Sequence, residues 1–151
     1  MMSGIKTEAR EAYFLEEIYK GCKMGVDSII NLLSHVSDDA MRSLMTQQLD
    51  GYEKYAARAA RALEQEGKTP HEEKLLARVG ARIGMAVHTM IDSTTSHLAE
   101  MMVQGSHMSI TEMTKLINAM ERCEGAENAL RLAREVISFE EHNLELLKRF
   151  L

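Results

Sequence analysis

Apolar and small residues recur along this chain at steps of three and four, the spacing that lines one face of an α-helix. The first run reads Leu15, Ile18, Cys22, Val26, Ile29, Leu33 and Val36, and predicts a helix from about Thr7 to Val36. "SDDA", Ser37 to Ala40, supplies an N-cap and acidic residues for the next first turn. A second stripe of Met41, Met45, Leu49, Tyr52, Ala56, Ala59 and Leu63 predicts a helix from about Asp38 to Glu66. "EGKTP" ends it: Gly67 suits the first position past the helix, and Pro70 cannot continue one. So short a link between two long helices implies an antiparallel hairpin.

A shorter helix is expected from about His71 to Ile91, with Gly80 and Gly84 four apart on one face. Glycine costs about 1 kcal/mol against alanine in a helix, so close packing against a neighbour should compensate. A phosphate-loop reading fails, because no strand precedes these glycines and no Lys-Ser/Thr follows. "DSTTS", Asp92 to Ser96, is a polar break rich in caps. A third long helix then runs from about Thr94 to Glu121, carrying Leu98, Met101, Met102, Met108, Met113, Leu116 and Met120. Gly105 inside it is expected to mark a kink or bulge. "CEGAE" breaks the pattern. The last helix, about Ala126 to Phe150, places Leu130, Ala133, Ile137, Glu140, Leu144, Leu147 and Leu151 on one face. The expected architecture is one all-α domain over 1–151. It is a four-helix bundle whose long crossover carries the short helix between the second and third long helices.

Composition agrees. Of 151 residues, 45% are hydrophobic and 27% charged, with one proline and no tryptophan, which favours a globular helical chain over a disordered one. Net charge is −5, and no basic stripe with interleaved aromatics occurs, so nucleic acid is not an expected partner. No apolar run approaches the roughly 20 residues of a membrane span, and "MMSGIKTEAREAYF" has no signal-like apolar core. Cys22 and Cys123 belong to no CxxC pair, so reduced thiols and a cytoplasmic location are expected.

The chain resembles the ferritin-like superfamily, in particular a small bacterial branch of it. The stretches that carry the resemblance are "YKGCKMGVDSII", "QQLDGYEKYAARAARALEQEGKTP", "HLAEMMVQGSHMSI" and "ISFEEHNLELLKRFL", which together span nearly the whole chain. Metal-binding members of the superfamily carry a carboxylate on one helix of each pair and Glu-x-x-His on the other. Laid on this sequence, the first carboxylate position falls at Cys22 and the first Glu-x-x-His at Tyr52 and Tyr55. The third-helix carboxylate falls near Ser106, and the last Glu-x-x-His at Glu140 and Asn143. Only Glu140 has a matching ligand type. The resemblance therefore implies the fold and a degenerate metal site, since iron and manganese want several carboxylate and imidazole ligands.

Other chemistry is sparse. Glu140 lies on an apolar face; if buried, it is expected either to be protonated or to accept hydrogen bonds from Tyr52, Tyr55 or Ser106, with a catalytic or ligand-binding acid and partial exposure as the alternatives. His88, Asp92, His97 and Glu100 form the densest His/acid cluster, an alternative metal site set against surface or capping roles. His107 lies one further helical stretch from this cluster, and His35, His71 and His142 read as helix-end or surface residues. Cys22 reads as interior and inert. The twelve methionines suit core filling, an oligomer interface or an apolar pocket. Three functions stay open. One is a non-enzymatic assembly or binding bundle without cofactor, as a homodimer or larger. The second is a metal-binding oxidoreductase or metal store for Fe, Mn or Zn. Its rearranged ligands would be drawn from Glu140, Asp27, Asp50, Glu53, His88 or His97. The third is a module for a small apolar ligand.

Overall fold

A computed structural model describes residues 2–70 and 94–151, with side chains from Arg10 onward in the first segment. The short helix expected over 71–91, with Gly80, Gly84 and His88, lies outside the described residues, as does Asp92. Within them the chain forms α1 (Met2–Leu33), α2 (Asp39–Gln65), α3 (Thr95–Glu121) and α4 (Glu127–Leu147), closed by a 3-10 turn at Lys148–Phe150. No strand occurs among the described residues.

The helix ends follow local chemistry. Asp38 caps α2, its Oδ1 accepting from the Met41 N–H at 2.8 Å. Gly67, at φ 73°, closes α2 in a Schellman motif. Its N–H donates to the Glu64 carbonyl at 2.9 Å, and the Lys68 N–H donates to the Leu63 carbonyl at 3.0 Å. Thr94 caps α3 through its hydroxyl, which accepts from the His97 N–H at 3.2 Å. Gly125, at φ 83°, turns the chain from α3 into α4.

Cross-helix contacts set the directions. Tyr52 meets Glu140 and Arg58 meets Glu135, so α2 and α4 run antiparallel. Ser109 meets Glu140 and Arg134 meets Glu121, so α3 and α4 are antiparallel as well. It follows that α2 and α3 point the same way. α1 and α2 form a hairpin. The bundle buries two apolar clusters. Toward one end, Leu15, Ile18 and Leu63 pack with Met113, Met120 and Val136. Toward the other, Val26, Ile29, Met41 and Met45 pack with Leu98 and Leu147. Each such fully buried side chain stabilises by about 1.5–3 kcal/mol. The interhelical ion pairs Arg58–Glu135 and Arg134–Glu121 are partly exposed and contribute at most about 1 kcal/mol each. The apolar stripes hold the helices together.

Several details differ from the periodicity. α1 begins at Met2 rather than near Thr7, because nothing between them forces a break. It ends at Leu33, and Val36, still buried, sits in a closing turn where its N–H bonds the Leu33 carbonyl. Leu32 is buried and Leu33 only partly. Gly105 interrupts nothing: α3 is continuous through it, and it faces open space. Met108 is 70% exposed, because Met102, Ser106, Met113 and Met120 define the inward face of α3 and Met108 lies on the other side. Leu151, beyond the last helical turn, is also exposed.

No atom lies within 4 Å of where a Cβ on Gly67 would sit, so substitution there tests backbone conformation alone. Gly67→Ala is expected to lower stability by about 1 kcal/mol in urea unfolding. An unchanged midpoint would mean the Schellman motif does not hold the end of α2.

Candidate functional site

Glu140 is 1% exposed, midway along α4. A bare carboxylate there would lose its hydration without return. Instead it faces hydroxyls from two other helices. Tyr52 of α2 donates to Oε2 at 2.6 Å, and Ser109 of α3 donates to Oε1 at 2.8 Å. The buried Ser106 hydroxyl, three residues before Ser109, also lies near the carboxyl and favours its ionised form. Burial raises the Glu140 pKa above the ordinary glutamate value, and these hydroxyls pull it part of the way back.

The neighbours are shifted by the same environment. Burial, and then the charge of Glu140, push the Tyr52 phenol well above its ordinary value. The Cys22 thiol, 1% exposed on α1, is pushed up to about 12 by burial and by Glu140. Asn143, one turn beyond Glu140 and 3% exposed, stands beside the Tyr52 hydroxyl and favours its ionised form. Gln48 is buried one turn from Tyr52 on the same face of α2.

Two close approaches aim the aromatic rings. A Cβ on Gly25 would fall 2.6 Å from the Tyr52 ring, so this ring lies directly on the backbone of α1. Gly51 admits the Phe139 ring in the same way. Phe139 then meets Tyr52 edge-on, with centroids 5.0 Å apart and an interplanar angle of 85°. Without these two glycines α1, α2 and α4 would stand further apart, and the phenol would not be held where it reaches Glu140.

The structure thus gathers Cys22, Tyr52, Ser106, Glu140 and Asn143. Tyr55 stays outside the network: it is half-buried, its ring lies 5.3 Å from that of Phe139, and Lys54 and Arg58 sit over it. His97 and Glu100 approach to 3.9 Å at the surface, while their expected partners His88 and Asp92 lie outside the described residues. Asp50 and Glu53 are exposed on α2, and Asp27 is half-buried on α1. His107 and His142 are exposed and His35 is half-buried. Four contributors are absent from the sequence pattern. Ser109 had a readable signal, its three-residue spacing from Ser106. Gly25, Gly51 and Phe139 had none, because their role depends on how closely two helices approach.

Chemically, the centre offers one carboxylate, two serine hydroxyls, a phenol, an amide and a thiol. A di-metal pair needs several anionic oxygens and imidazoles. Here a single carboxylate already accepts hydroxyls on both oxygens, and the thiol and phenol hold their protons strongly. Among the described residues, no group of three or more His, Cys, Asp or Glu is arranged to hold a metal ion. None of the described helices is long and apolar enough to cross a membrane.

Fold and centre together define an all-helical bundle with a hydroxyl-bonded carboxylate at its middle. No protein-family model matches the chain, and neither a curated protein nor a solved structure matches it.

Two outcomes follow from the shifted groups. With its folded-state pKa raised, Glu140 favours folding when neutral. That contribution is fully present below the unfolded-state pKa and is lost as pH rises through the folded-state value. The stability of Glu140→Gln relative to the native protein should therefore increase with pH, in urea midpoints taken from about pH 4 to pH 8. Glu11, whose pKa burial also raises, is common to both proteins and cancels. A difference that stays flat with pH would mean Glu140 titrates normally. The second outcome concerns the thiols. A disulfide reagent at about pH 8 should label half-buried Cys123 in the folded protein and reach Cys22 only on unfolding. Equal labelling rates would place Cys22 at the surface.

Proposed function

We propose that the chain is a ferritin-like helical bundle in which a hydrogen-bonded carboxylate stands where related bundles hold a di-metal centre. It serves as a non-enzymatic assembly or binding protein, working as a homodimer or larger assembly in the cytoplasm. The observation that carries this reading is Glu140, whose two oxygens are both taken by hydroxyls of neighbouring helices. The ferritin-like topology draws support from the parallel course of α2 and α3, which needs a connection running the length of the bundle. In this reading the crossover contains the short helix of 71–91. Self-association draws support from exposed Met108, a flexible apolar side chain suited to a helix-lined contact.

The test is metal content by mass spectrometry. The protein is purified without a metal-affinity tag from cells supplied with iron, manganese and zinc, and compared with Glu140→Gln. Less than about a tenth of an equivalent of each metal in both proteins is the expected result. Near-stoichiometric metal that disappears in Glu140→Gln would overturn the proposal and favour an oxidoreductase or metal store with rearranged ligands.

A further inference from the structure

A second feature lies on the surface, outside the Glu140 network and joined to it through Phe139. The groove between α2 and α4 has two adjoining parts that share Arg131. One, of about 720 Å³, has an apolar and aromatic lining of Tyr55, Leu130 and Phe139. The other, of about 330 Å³, is bordered by Arg58, Arg61 and Arg131 with the amides of Gln65 and Asn128. The larger part is within the size range of small-molecule sites.

The charges here run against the rest of the chain. The whole protein carries −5, yet this groove collects Arg58, Arg61, Arg131 and Arg134, with Lys54 beside Tyr55. Two of these cations are committed: Arg58 pairs with Glu135 at 2.6 Å and Arg134 with Glu121 at 2.9 Å. Arg61 and Arg131 make no ion pair among the described residues. Arg61 only turns its Nε toward the Ala57 carbonyl at 3.4 Å, which leaves its terminal nitrogens available. Of the acids lining the groove, Glu135 is paired with Arg58, and the charges of Lys54 and Arg131 act on it as well. Glu127 accepts the Gly125 N–H at 3.3 Å at the far end.

We infer that this groove binds a small organic anion with a planar apolar body, an aryl phosphate or aryl carboxylate. Arg61 and Arg131 take the anionic head. A guanidinium presents paired N–H donors that match phosphate or carboxylate oxygens, and it is always charged. Leu130 and the rings of Tyr55 and Phe139 take the body. The Arg58–Glu135 pair borders both parts, Arg58 lining the smaller and Glu135 the larger. The groove shares the Phe139 ring with the centre but takes none of its polar groups, so metal analysis and this inference can fail separately.

The test is a titration of the isotope-labelled protein, followed by NMR, with phenyl phosphate and with inorganic phosphate. Phenyl phosphate should shift the signals of Tyr55, Arg61 and Arg131 saturably. Inorganic phosphate, lacking the ring, should bind at least about fivefold more weakly. Arg61→Ala/Arg131→Ala, both at exposed positions, should fold normally and bind phenyl phosphate roughly tenfold more weakly. Lys115→Ala removes an exposed cation from α3 and should leave binding unchanged. Absence of saturable shifts at the groove would overturn the inference, as would equal binding by the double variant. Inorganic phosphate binding as tightly as phenyl phosphate would overturn the assignment of a planar apolar body.

Discussion

The structure turns on the cost of burying one carboxylate. Glu140 sits at the middle of the bundle with almost no access to water. In so apolar a place a charged group needs hydrogen-bonding partners or must take up a proton. Tyr52 and Ser109 supply the partners, from two different helices, with the Ser106 hydroxyl close by. The hydrogen bonds therefore do more than satisfy Glu140. They fix α2 against α4 and α3 against α4 at a single register, because a shift of one residue on any of these helices would carry a hydroxyl away from the carboxylate. Apolar packing on either side supplies most of the cohesion but tolerates small slips far better.

The two glycines belong to the same constraint. A tyrosine long enough to reach Glu140 across the interior needs its ring pressed against a neighbouring backbone, and Gly25 provides that space. Phe139, next to Glu140 in sequence, turns toward α2 and occupies the space left at Gly51. The polar centre is thus walled by aromatic edges. That wall keeps water away, and the same exclusion raises the pKa values of Glu140, Tyr52 and Cys22 together. A centre in which acid, phenol and thiol all retain protons more firmly than in water is well suited to holding helices in one arrangement.

The outer surface follows a different logic. Arg58 and Glu135 link α2 and α4 from outside, near the level at which Tyr52 and Glu140 link them within. One link is partly exposed and screened by solvent. The other is dry, and its worth is set by the cost of leaving a partner unsatisfied. Arg61 and Arg131, exposed on this face, form no ion pair among the described residues, although the charge of Arg131 adds to that of Arg58 in lowering the Glu135 pKa.

Much of the fold was legible in the sequence. Four long helices, their turns at Ser37, Gly67 and Gly125, and the inward placing of Leu15, Ile18, Met45, Leu63 and Leu147 all follow from periodicity and capping. These are local properties: a stripe at steps of three and four, or a glycine past a helix end, needs no knowledge of distant residues. Cys22, Tyr52 and Glu140 were legible on inward faces for the same reason, whereas Ser106 and Asn143 stand outside the apolar stripes and were singled out only by the resemblance to ferritin-like bundles. What the tertiary structure decided was which hydroxyls Glu140 receives, and from how close. Ser109 joined the network and Tyr55 did not. Met108 turned outward although Met102 and Met113 of the same stripe turn inward. Gly25 and Gly51 became contact points, and Gly105 faced open space. Each of these depends on the distance and rotation between two helices. Periodicity along one helix gives the face a residue occupies, but not what stands opposite it.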